Sequence, residues 1–465
     1  MQRHIKVQQY LETVCSQIRC KKIHADIWEE IENHIIDQKE AYKAQGIDEE
    51  AATIKALEQM GDPVIVGTEL DRTHRPKPEW SIIALTALLL ITGTVIRSFT
   101  SLQELNGIEL FNKQLFFTLV GVGLMVLFYH MDFTVLGKHP KTVFLLLAVV
   151  IVFLIGLSKP ALGRYRYASY LLLLFPTLFA GVVYSMRNRG YTGIIGCGIL
   201  FAVSFIISMV IPSTSSCVLL TLSCLIVLTI AISKGWFGVK KLYALLLVYL
   251  PVIGVLAAIF ASGILSERIA LAINPSIDPH GKGYTGAIIR QLLSGAQFIG
   301  QGNVPEYFQG VSSPQILPGI NSDLLITYII HRFGWLVFFI TAALLILFIV
   351  RTFMLCLKQK SVLAQLVSTA ITLTFAIQTI FYISVNLGFQ LFGPLSLPLI
   401  SQSSSYLLIN MSLVGILLSV FKTGYFIKDK EDSIKTAVNP FIKFEDGKLI
   451  IYVSDGQYRH RSRHD

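Results

Sequence analysis

Long apolar runs are the feature that most constrains the fold of this chain. A run of about 20 apolar residues crosses a bilayer as an α-helix, and such runs recur along most of the sequence. Charged residues make up only 15% of the chain, whereas soluble domains carry about 25%. The alternating segments of membrane β-barrels do not occur in the sequence. We therefore predict an all-α polytopic membrane protein with about ten transmembrane helices, near residues 80–99, 112–130, 141–158, 167–186, 191–211, 215–233, 242–265, 324–350, 361–389 and 397–421.

Basic residues between the apolar runs predict the orientation of the spans. The positive-inside rule places the connections that carry them in the cytoplasm: Lys138, His139, Lys141, Arg187, Arg189, Lys234, Lys240, Lys241, Arg351, Lys358 and Lys360. With ten spans, both termini are then cytoplasmic and the loop 266–322 is extracytoplasmic. This orientation accounts for the net charge of +10, and no basic patch interleaved with aromatic residues indicates a nucleic-acid partner.

One short connection breaks this charge pattern. Lys159, Arg164 and Arg166 lie between the third and fourth spans, on the predicted outer side. An anionic ligand on that side would account for them. The low cost of basic residues in a short loop would account for them equally well.

The first 75 residues are predicted to form a small helical cytoplasmic domain. Ile27, Ile31 and Ile35 recur at helical spacing, and Asp48 is placed to cap a second helix. The stretches HADIWEEIENHI and GIDEEAATIKALEQMGDP resemble HAAS domains, which precede some bacterial permeases and sensors. Any short acidic helical bundle is the alternative interpretation.

Two further segments flank the transmembrane domain, which is predicted at residues 80–425. Residues 76–79 form a linker whose neighbouring prolines interrupt any helix before the first span. Residues 426–465 form a cytoplasmic tail. The tail contains FIKFEDGKLIIYVSDGQ, and the alternation on either side of Asp446-Gly447 predicts a β-hairpin.

Asp323 lies where the longest polar interruption of the apolar pattern meets an apolar helix. Asn321, Ser322 and Asp323 are all good N-cap residues, and a helix entering the membrane needs a cap. A carboxylate partly desolvated at a membrane boundary is also suited to act as a general base. The local sequence favours the cap, and one side chain at a helix N-terminus can fill both roles.

Polar residues inside one apolar run are a weaker signal. Gln378 and Asn386 both lie within the predicted span 361–389. Such residues are often functional, yet many only hydrogen-bond neighbouring helices.

Three ordered blocks give the chain its resemblance to a known family. The first begins at Arg268 with RIALAINPSIDPHGKGY and ends with SGAQFIGQG. The second is LPGINSDLLITYIIHRFGW, and the third is QTIFYISVNLGFQLFGPLSLPLISQSSSYLLINMSLVGILLS. In order and near-spacing they resemble the SEDS proteins (shape, elongation, division and sporulation), the FtsW, RodA and SpoVE group, over residues 80–425.

The resemblance implies an enzyme of the bacterial cytoplasmic membrane. SEDS proteins are peptidoglycan glycosyltransferases that polymerise lipid II outside the membrane, usually with a class B penicillin-binding protein. Asp323 matches the family's essential aspartate. In that role it takes the proton from the 4-hydroxyl of the acceptor sugar, whose oxygen attacks the anomeric carbon of the donor. Undecaprenyl pyrophosphate then leaves with inversion.

The resemblance also suggests which residues hold the substrate. A divalent cation, Mg²⁺ or Mn²⁺, or the basic residues of the outer connection would neutralise the leaving group. The candidate substrate-binding residues are Lys159, Arg164, Arg166, Asn321, Ser322, Ser401 and Gln402.

Several acids of the family pattern are missing from this chain. Gly319 replaces the acid after Leu-Pro, and His331-Arg332 replaces a Gly-Glu-Glu segment. Phe175-Pro176-Thr177-Leu178 stands for Gln-Pro-Ser-Glu, and the 212–216 segment lacks the aspartate of Gln-Pro-Asp-Leu-Gly-Thr. Keeping Asp323 while losing these acids fits a divergent polymerase, for cell shape, division or sporulation, or a non-catalytic scaffold or regulator. A transporter of lipid-linked precursors is a third reading, although alternating access usually leaves inverted repeats and none is clear.

Overall fold

The computed structural model describes residues 5–74, 78–101, 107–157, 165–211, 213–303, 323–400, 403–424, 442–445 and 448–451. The predicted all-α polytopic architecture is confirmed, because ten helices are long and apolar enough to cross a membrane. In chain order these are α5 (Trp80–Ser101), α6 (Gly107–His130), α8 (Pro140–Leu157), the segment Tyr167–Met186, α11 (Gly190–Val210), α12 (Thr214–Ser233), α13 (Lys241–Ala261), α17 (Trp335–Leu357), α18 (Val362–Asn386) and α19 (Ser404–Thr423).

The remaining helices connect or flank these spans. The Tyr167–Met186 span combines α9 (Arg166–Leu171), a 3₁₀ turn at Leu172–Leu174 and α10 (Phe175–Met186). Four shorter helices lie in the connections: α7 (Val135–Lys138), α14 (Ile264–Ile273), α15 (Tyr284–Ser294) and α16 (Leu325–Phe333).

The spans differ greatly in how much of their surface faces other helices. Within an apolar 18-residue stretch of each span, 67% of the residues are buried inside the protein in α18, but only 6% in α13. Helix α18 is therefore a central helix, and α13 presents its apolar side chains outward. Helices α6 and α19 pack closely because Gly415 lies against the Met125 backbone, where a Cβ would come within 2.5 Å of the carbonyl oxygen.

The eighth span begins later than the sequence predicts. The apolar run 324–350 reads as one segment, but the backbone turns at Gly334, whose φ is +96°. Helix α16 ends there, and the membrane-spanning helix α17 begins at Trp335. Glycine is the residue that adopts this φ at little cost, and it separates a short buried helix from the span.

Residues 5–74 form four helices around their own apolar cluster: α1 (Ile5–Gln17), α2 (His24–Ala44), α3 (Glu49–Met60) and α4 (Pro63–His74). Ile27, Ile31 and Ile35 are buried as their spacing predicts. The predicted cap is also present, since Asp48 accepts a hydrogen bond from the Glu50 amide at 3.2 Å. That this bundle is a cytoplasmic domain stays a prediction.

The C-terminal segment contains the predicted hairpin strands. Strand β1 (Ile442–Glu445) pairs antiparallel with β2 (Lys448–Ile451), with Glu445 opposite Lys448. Asp446 and Gly447, the predicted turn residues, lie outside the described part of the chain.

Candidate functional site

Helix α16 carries the candidate catalytic residue at its start. The helix is nine residues long, and all of residues 324–331 are buried. Asp323, just before them, is exposed. Asp323 is therefore the exposed residue directly before the buried segment. The position of its backbone depends on how the N-terminus of α16 is held.

Two side chains of the central helix α18 hold that N-terminus. The Leu325 amide donates to the Tyr382 hydroxyl at 3.0 Å, and the Thr327 amide donates to Asn386 Oδ1 at 3.1 Å. Asn386 Nδ2 donates to the backbone carbonyl of Asp323 at 3.2 Å. Two of the orphan amides of this buried helix start are thus satisfied from a neighbouring span.

The expectation that Asp323 is the N-cap of this helix is wrong. The cap position is Leu324, which has no side-chain oxygen to offer, and Tyr382 and Asn386 bind the first-turn amides instead. Asp323 therefore lies one residue before the cap position that its sequence context predicts for it. This placement is compatible with a chemical role for the carboxylate.

The C-terminal end of α16 is held by residues 297–303, here called the glycine loop. The Gly300 amide donates to the Phe333 carbonyl at 3.1 Å, and the Gly302 amide donates to the His331 carbonyl at 2.7 Å. In return, the Trp335 amide donates to the Gln297 carbonyl at 3.1 Å. The first and second sequence blocks therefore meet as paired backbone segments.

Glycine is required where these two segments touch. A Cβ at Gly334 would lie 2.5 Å from the Phe298 carbonyl oxygen, and one at Gly302 would lie 2.7 Å from the Gly295 carbonyl oxygen. Both distances are far below ordinary contact. A larger residue at Gly334 would separate the glycine loop from α16, and one at Gly302 would push that loop away from Gly295 at the end of α15.

The His331-Arg332 pair, which replaces two acids of the family pattern, also binds the glycine loop. Arg332 Nη1 donates to Gln301 Oε1. His331 is 9% exposed, and burial is the main cause that lowers its pKa below the ordinary value, with the nearby Arg332 charge adding to the effect. A hydrogen bond to the Asn303 backbone opposes this shift. His331 is therefore a neutral, buried contact at neutral pH.

Arg290 of α15 joins the first block to the third. Its guanidinium donates to the carbonyls of Ala272 at 2.5 Å and Ile273 at 2.7 Å, which end α14, and to the Gly388 carbonyl at 3.4 Å. Its charge also lies 5.0 Å from the centre of the Phe389 ring. One arginine thus joins the connection between α13 and α17 to the end of α18, two residues beyond Asn386.

Two family acids are replaced by uncharged residues at half-buried positions. Leu178 stands for the glutamate of Gln-Pro-Ser-Glu, and Ser213 stands for the aspartate of Gln-Pro-Asp-Leu-Gly-Thr. Ser215 Oγ donates to the Gly393 carbonyl at 2.5 Å, in the segment before α19. An ionised side chain at such positions would need a partner to offset its desolvation, and neutral residues avoid that cost.

The other predicted site residues are not described by the structure. Lys159, Arg164, Asn321, Ser322, Ser401 and Gln402 lie outside the described residues. Arg166 is the first residue of α9, but its side chain is outside the described part as well. Among the described residues, no group of three or more His, Cys, Asp or Glu side chains is arranged to hold a metal ion.

Sequence reasoning found Asn386 but not its partners. Asn386 was one of two polar residues flagged inside a span, and it does bond a neighbouring helix. Tyr382 and Arg290 were missed. Tyr382 precedes Asn386 by four residues, and Gln378 precedes Tyr382 by four, so all three share one face of α18. That spacing was the available signal.

Comparison with known proteins adds independent support for the fold. The family profile described as "Cell cycle protein", for the FtsW, RodA and SpoVE group, matches residues 79–425. A protein of Xanthomonas oryzae pv. oryzae named "Probable peptidoglycan glycosyltransferase FtsW" is 23% identical over 405 residues, covering 82% of this chain and 79% of that protein. A protein of the same name from Enterococcus hirae is 26% identical over 165 residues, which are 36% of this chain and 41% of that protein.

A solved structure shares the arrangement of helices. It is described as "Structural coordination of polymerization and crosslinking by a peptidoglycan synthase complex". Its TM-score is 0.58 at 16% sequence identity, and the match covers 75% of this chain and 98% of that chain. At this identity the likeness shows a common fold.

Proposed function

Since the chain belongs to the SEDS family, the FtsW, RodA and SpoVE group of cell cycle proteins, we propose that it is a divergent peptidoglycan glycosyltransferase. Its substrate is lipid II, the undecaprenyl-pyrophosphate-linked disaccharide peptide. It polymerises this substrate at the outer face of the cytoplasmic membrane. The observation that carries the proposal is the exposed Asp323 before a buried helix that α18 holds at its start and the glycine loop holds at its end.

The proposed reaction needs one base and a good leaving group. Asp323 accepts the proton of the acceptor 4-hydroxyl as its oxygen forms a bond to the anomeric carbon of the donor. The bond from that carbon to the pyrophosphate oxygen breaks, and undecaprenyl pyrophosphate leaves with the bonding electron pair. Because the pyrophosphate already activates the donor, positioning and general-base catalysis supply most of what the protein must add.

The remaining site residues fill supporting roles in this proposal. Lys159, Arg164 and Arg166 neutralise the pyrophosphate, and Asn321, Ser322, Ser401 and Gln402 bind the sugar and peptide portions. A divalent cation, Mg²⁺ or Mn²⁺, would assist with the same charge. The described residues do not supply a ligand set for it, so no step of the reaction is assigned to a cation.

The topology that suits this reaction follows the positive-inside rule. It places both termini in the cytoplasm and Asp323 on the outer side, where the growing glycan lies. A class B penicillin-binding protein is the proposed partner, since glycan strands need crosslinking after they are polymerised.

A non-catalytic scaffold or regulator of cell-wall synthesis is the second candidate. The observation that favours it is the replacement of several family acids by uncharged or basic residues, including Gly319, Leu178 and His331. A scaffold would need the fold and its partner contacts, but it would not need the carboxylate of Asp323.

Purified full-length protein in lipid vesicles, supplied with lipid II with and without a class B penicillin-binding protein, tests the proposal. We expect glycan polymer from the wild type and a loss of at least about a hundredfold in Asp323→Asn, since general-base catalysis contributes about 10²–10⁴-fold. Glu267→Gln is the matched control, because the Glu267 carboxylate forms an exposed ion pair with Lys282 and lies outside the three sequence blocks. Equal polymer from the Asp323 variant and the wild type would remove the assigned role. No polymer from any of the three proteins would favour the scaffold.

A further inference from the structure

We propose that Tyr382 and Asn386 are positioning residues that set the place of the Asp323 carboxylate from the neighbouring span. The inference rests on the proposed function, because it assigns a reason for the geometry of the same site. Both residues are fully buried, with 0% of their surface exposed. They act through the backbone of α16 and are not placed to touch substrate.

Asn386 uses both polar atoms of its amide group on the start of α16. Nδ2 donates to the carbonyls of Asp323 at 3.2 Å and Tyr382 at 2.9 Å. Oδ1 accepts from the Thr327 amide at 3.1 Å and lies 3.2 Å from the Thr327 hydroxyl. An asparagine amide has two donor hydrogens and two acceptor lone pairs, so every position of this group has a partner.

Thr327 closes the contact from the other side. Its hydroxyl lies 2.8 Å from the backbone carbonyl of Asn386, so its single proton is shared between that carbonyl and Oδ1. Thr327 is itself fully buried. The register between the two helices is therefore fixed by directional bonds, whereas apolar packing alone would tolerate sliding.

Tyr382 fixes a second point one turn away on α18. Its hydroxyl accepts the Leu325 amide at 3.0 Å. Leu325 and Thr327 are the first and third residues of α16, so the two contacts hold both the position and the direction of the helix start. Asp323 lies only two residues before Leu325, which leaves its backbone little freedom.

The physical consequence is that removing either contact moves the base without removing it. A displacement of about 1 Å at a reacting group costs on the order of a hundredfold in rate. We therefore expect Tyr382→Phe and Asn386→Leu to lower kcat about ten- to a hundredfold while KM stays within about threefold, because neither side chain contacts substrate. A substrate-binding residue would change KM instead.

The matched control is Thr379→Val on the same helix. Thr379 is 4% exposed, and its hydroxyl donates to the Phe375 carbonyl within α18 itself. This variant removes a buried hydroxyl from the same span and leaves the contacts to α16 intact. Its kcat and KM should match those of the wild type.

The conservative partner of this test is Thr327→Ser. Serine keeps the hydroxyl that bonds Asn386, whereas Thr327→Val removes it at similar volume. We expect the kcat of Thr327→Ser to stay within about twofold of the wild type, and that of Thr327→Val to fall below this range. A purely structural role for the β-methyl group predicts the opposite order.

The experiment combines lipid II polymerisation with amide hydrogen exchange of peptide 323–333 in full-length protein in vesicles. Faster exchange of that peptide together with a lower kcat in Tyr382→Phe and Asn386→Leu, but not in Thr379→Val, supports the inference. Wild-type kcat in both variants overturns it, provided that Asp323→Asn is inactive. If Asp323→Asn keeps wild-type activity, the proposed function fails first. If the wild type makes no polymer, unchanged hydrogen exchange of peptide 323–333 in Tyr382→Phe and Asn386→Leu overturns the inference by itself.

Discussion

Replacing Gly334 by alanine adds one methyl group at the turn between α16 and α17. Gly334 has a φ of +96° and a ψ of +169°, a backbone region that essentially only glycine adopts and that costs an L side chain ~1–3 kcal/mol. The new Cβ would also lie 2.5 Å from the Phe298 carbonyl oxygen. Relieving that contact requires the two adjacent hydrogen bonds, from the amides of Trp335 and Leu336, to lengthen or break. Each is worth ~0.5–1.5 kcal/mol. The free energy of unfolding of this region therefore falls by ~2–6 kcal/mol.

Gly263→Ala is the control for a positive φ without a steric contact. Gly263 is in the left-handed helical region, with a φ of +75° and a ψ of −11°, and a Cβ there would meet no atom within 4 Å. The control therefore carries a conformational cost of ~1–2 kcal/mol and no clash. Because membrane proteins often unfold irreversibly, the assay compares apparent unfolding temperatures of detergent-solubilised protein at one heating rate.

We expect the unfolding temperature to fall in the order wild type, Gly263→Ala, Gly334→Ala. The Gly334 variant should also lose polymer formation, because the glycine loop and α16 separate, while the Gly263 variant keeps it. Identical unfolding temperatures and activities for the two variants would refute the reasoning. They would mean that the contact with Phe298 does not hold the helix in place.

Two further predictions concern side chains of α16 and α15. Burial lowers the pKa of His331, so the unfolded chain takes up the proton first as the pH falls through about 6.5, and stability is lost below that pH. Below that pH, the backbone amides of the glycine loop should show faster hydrogen exchange after correction for intrinsic rates. His331→Gln should abolish this pH dependence. Arg290→Lys cannot form the paired guanidinium hydrogen bonds to the two carbonyls at the end of α14. It should therefore lower both the unfolding temperature and the polymer yield. Lys282→Met, which removes only an exposed ion pair, should change neither.

The number of spans could be predicted from the sequence because crossing a bilayer is a local demand on length and polarity. The same reasoning placed the start of the eighth span wrongly. A glycine inside an apolar run does not reveal whether the helix continues past it, packs closely there or turns. Gly334 turns because the Phe298 backbone occupies the space beside it, and that neighbour is remote in sequence.

The candidate site divides along the same line. Asp323 could be identified from its place at the mouth of an apolar helix and from the blocks around it. The residues that bond the first amides of α16 could not be identified, because the bond from Thr327 to Asn386 joins residues 59 positions apart. Periodicity assigns Asn386 to a face of α18, but it does not say which helix lies opposite that face. Arg290 was missed for a related reason, since its partners are backbone carbonyls that carry no signature in the sequence.

The cap that α18 provides has a consequence for how the protein is made. A nine-residue helix is marginal by itself, and α16 has its first amides bonded by residues that are synthesised more than 50 positions later. The segment after Asp323 is therefore completed only when Tyr382 and Asn386 have been threaded into the membrane. A chain interrupted in biosynthesis before that point would carry the aspartate but lack its support. The start of α16 therefore has these hydrogen-bond partners only after the ninth span has been made.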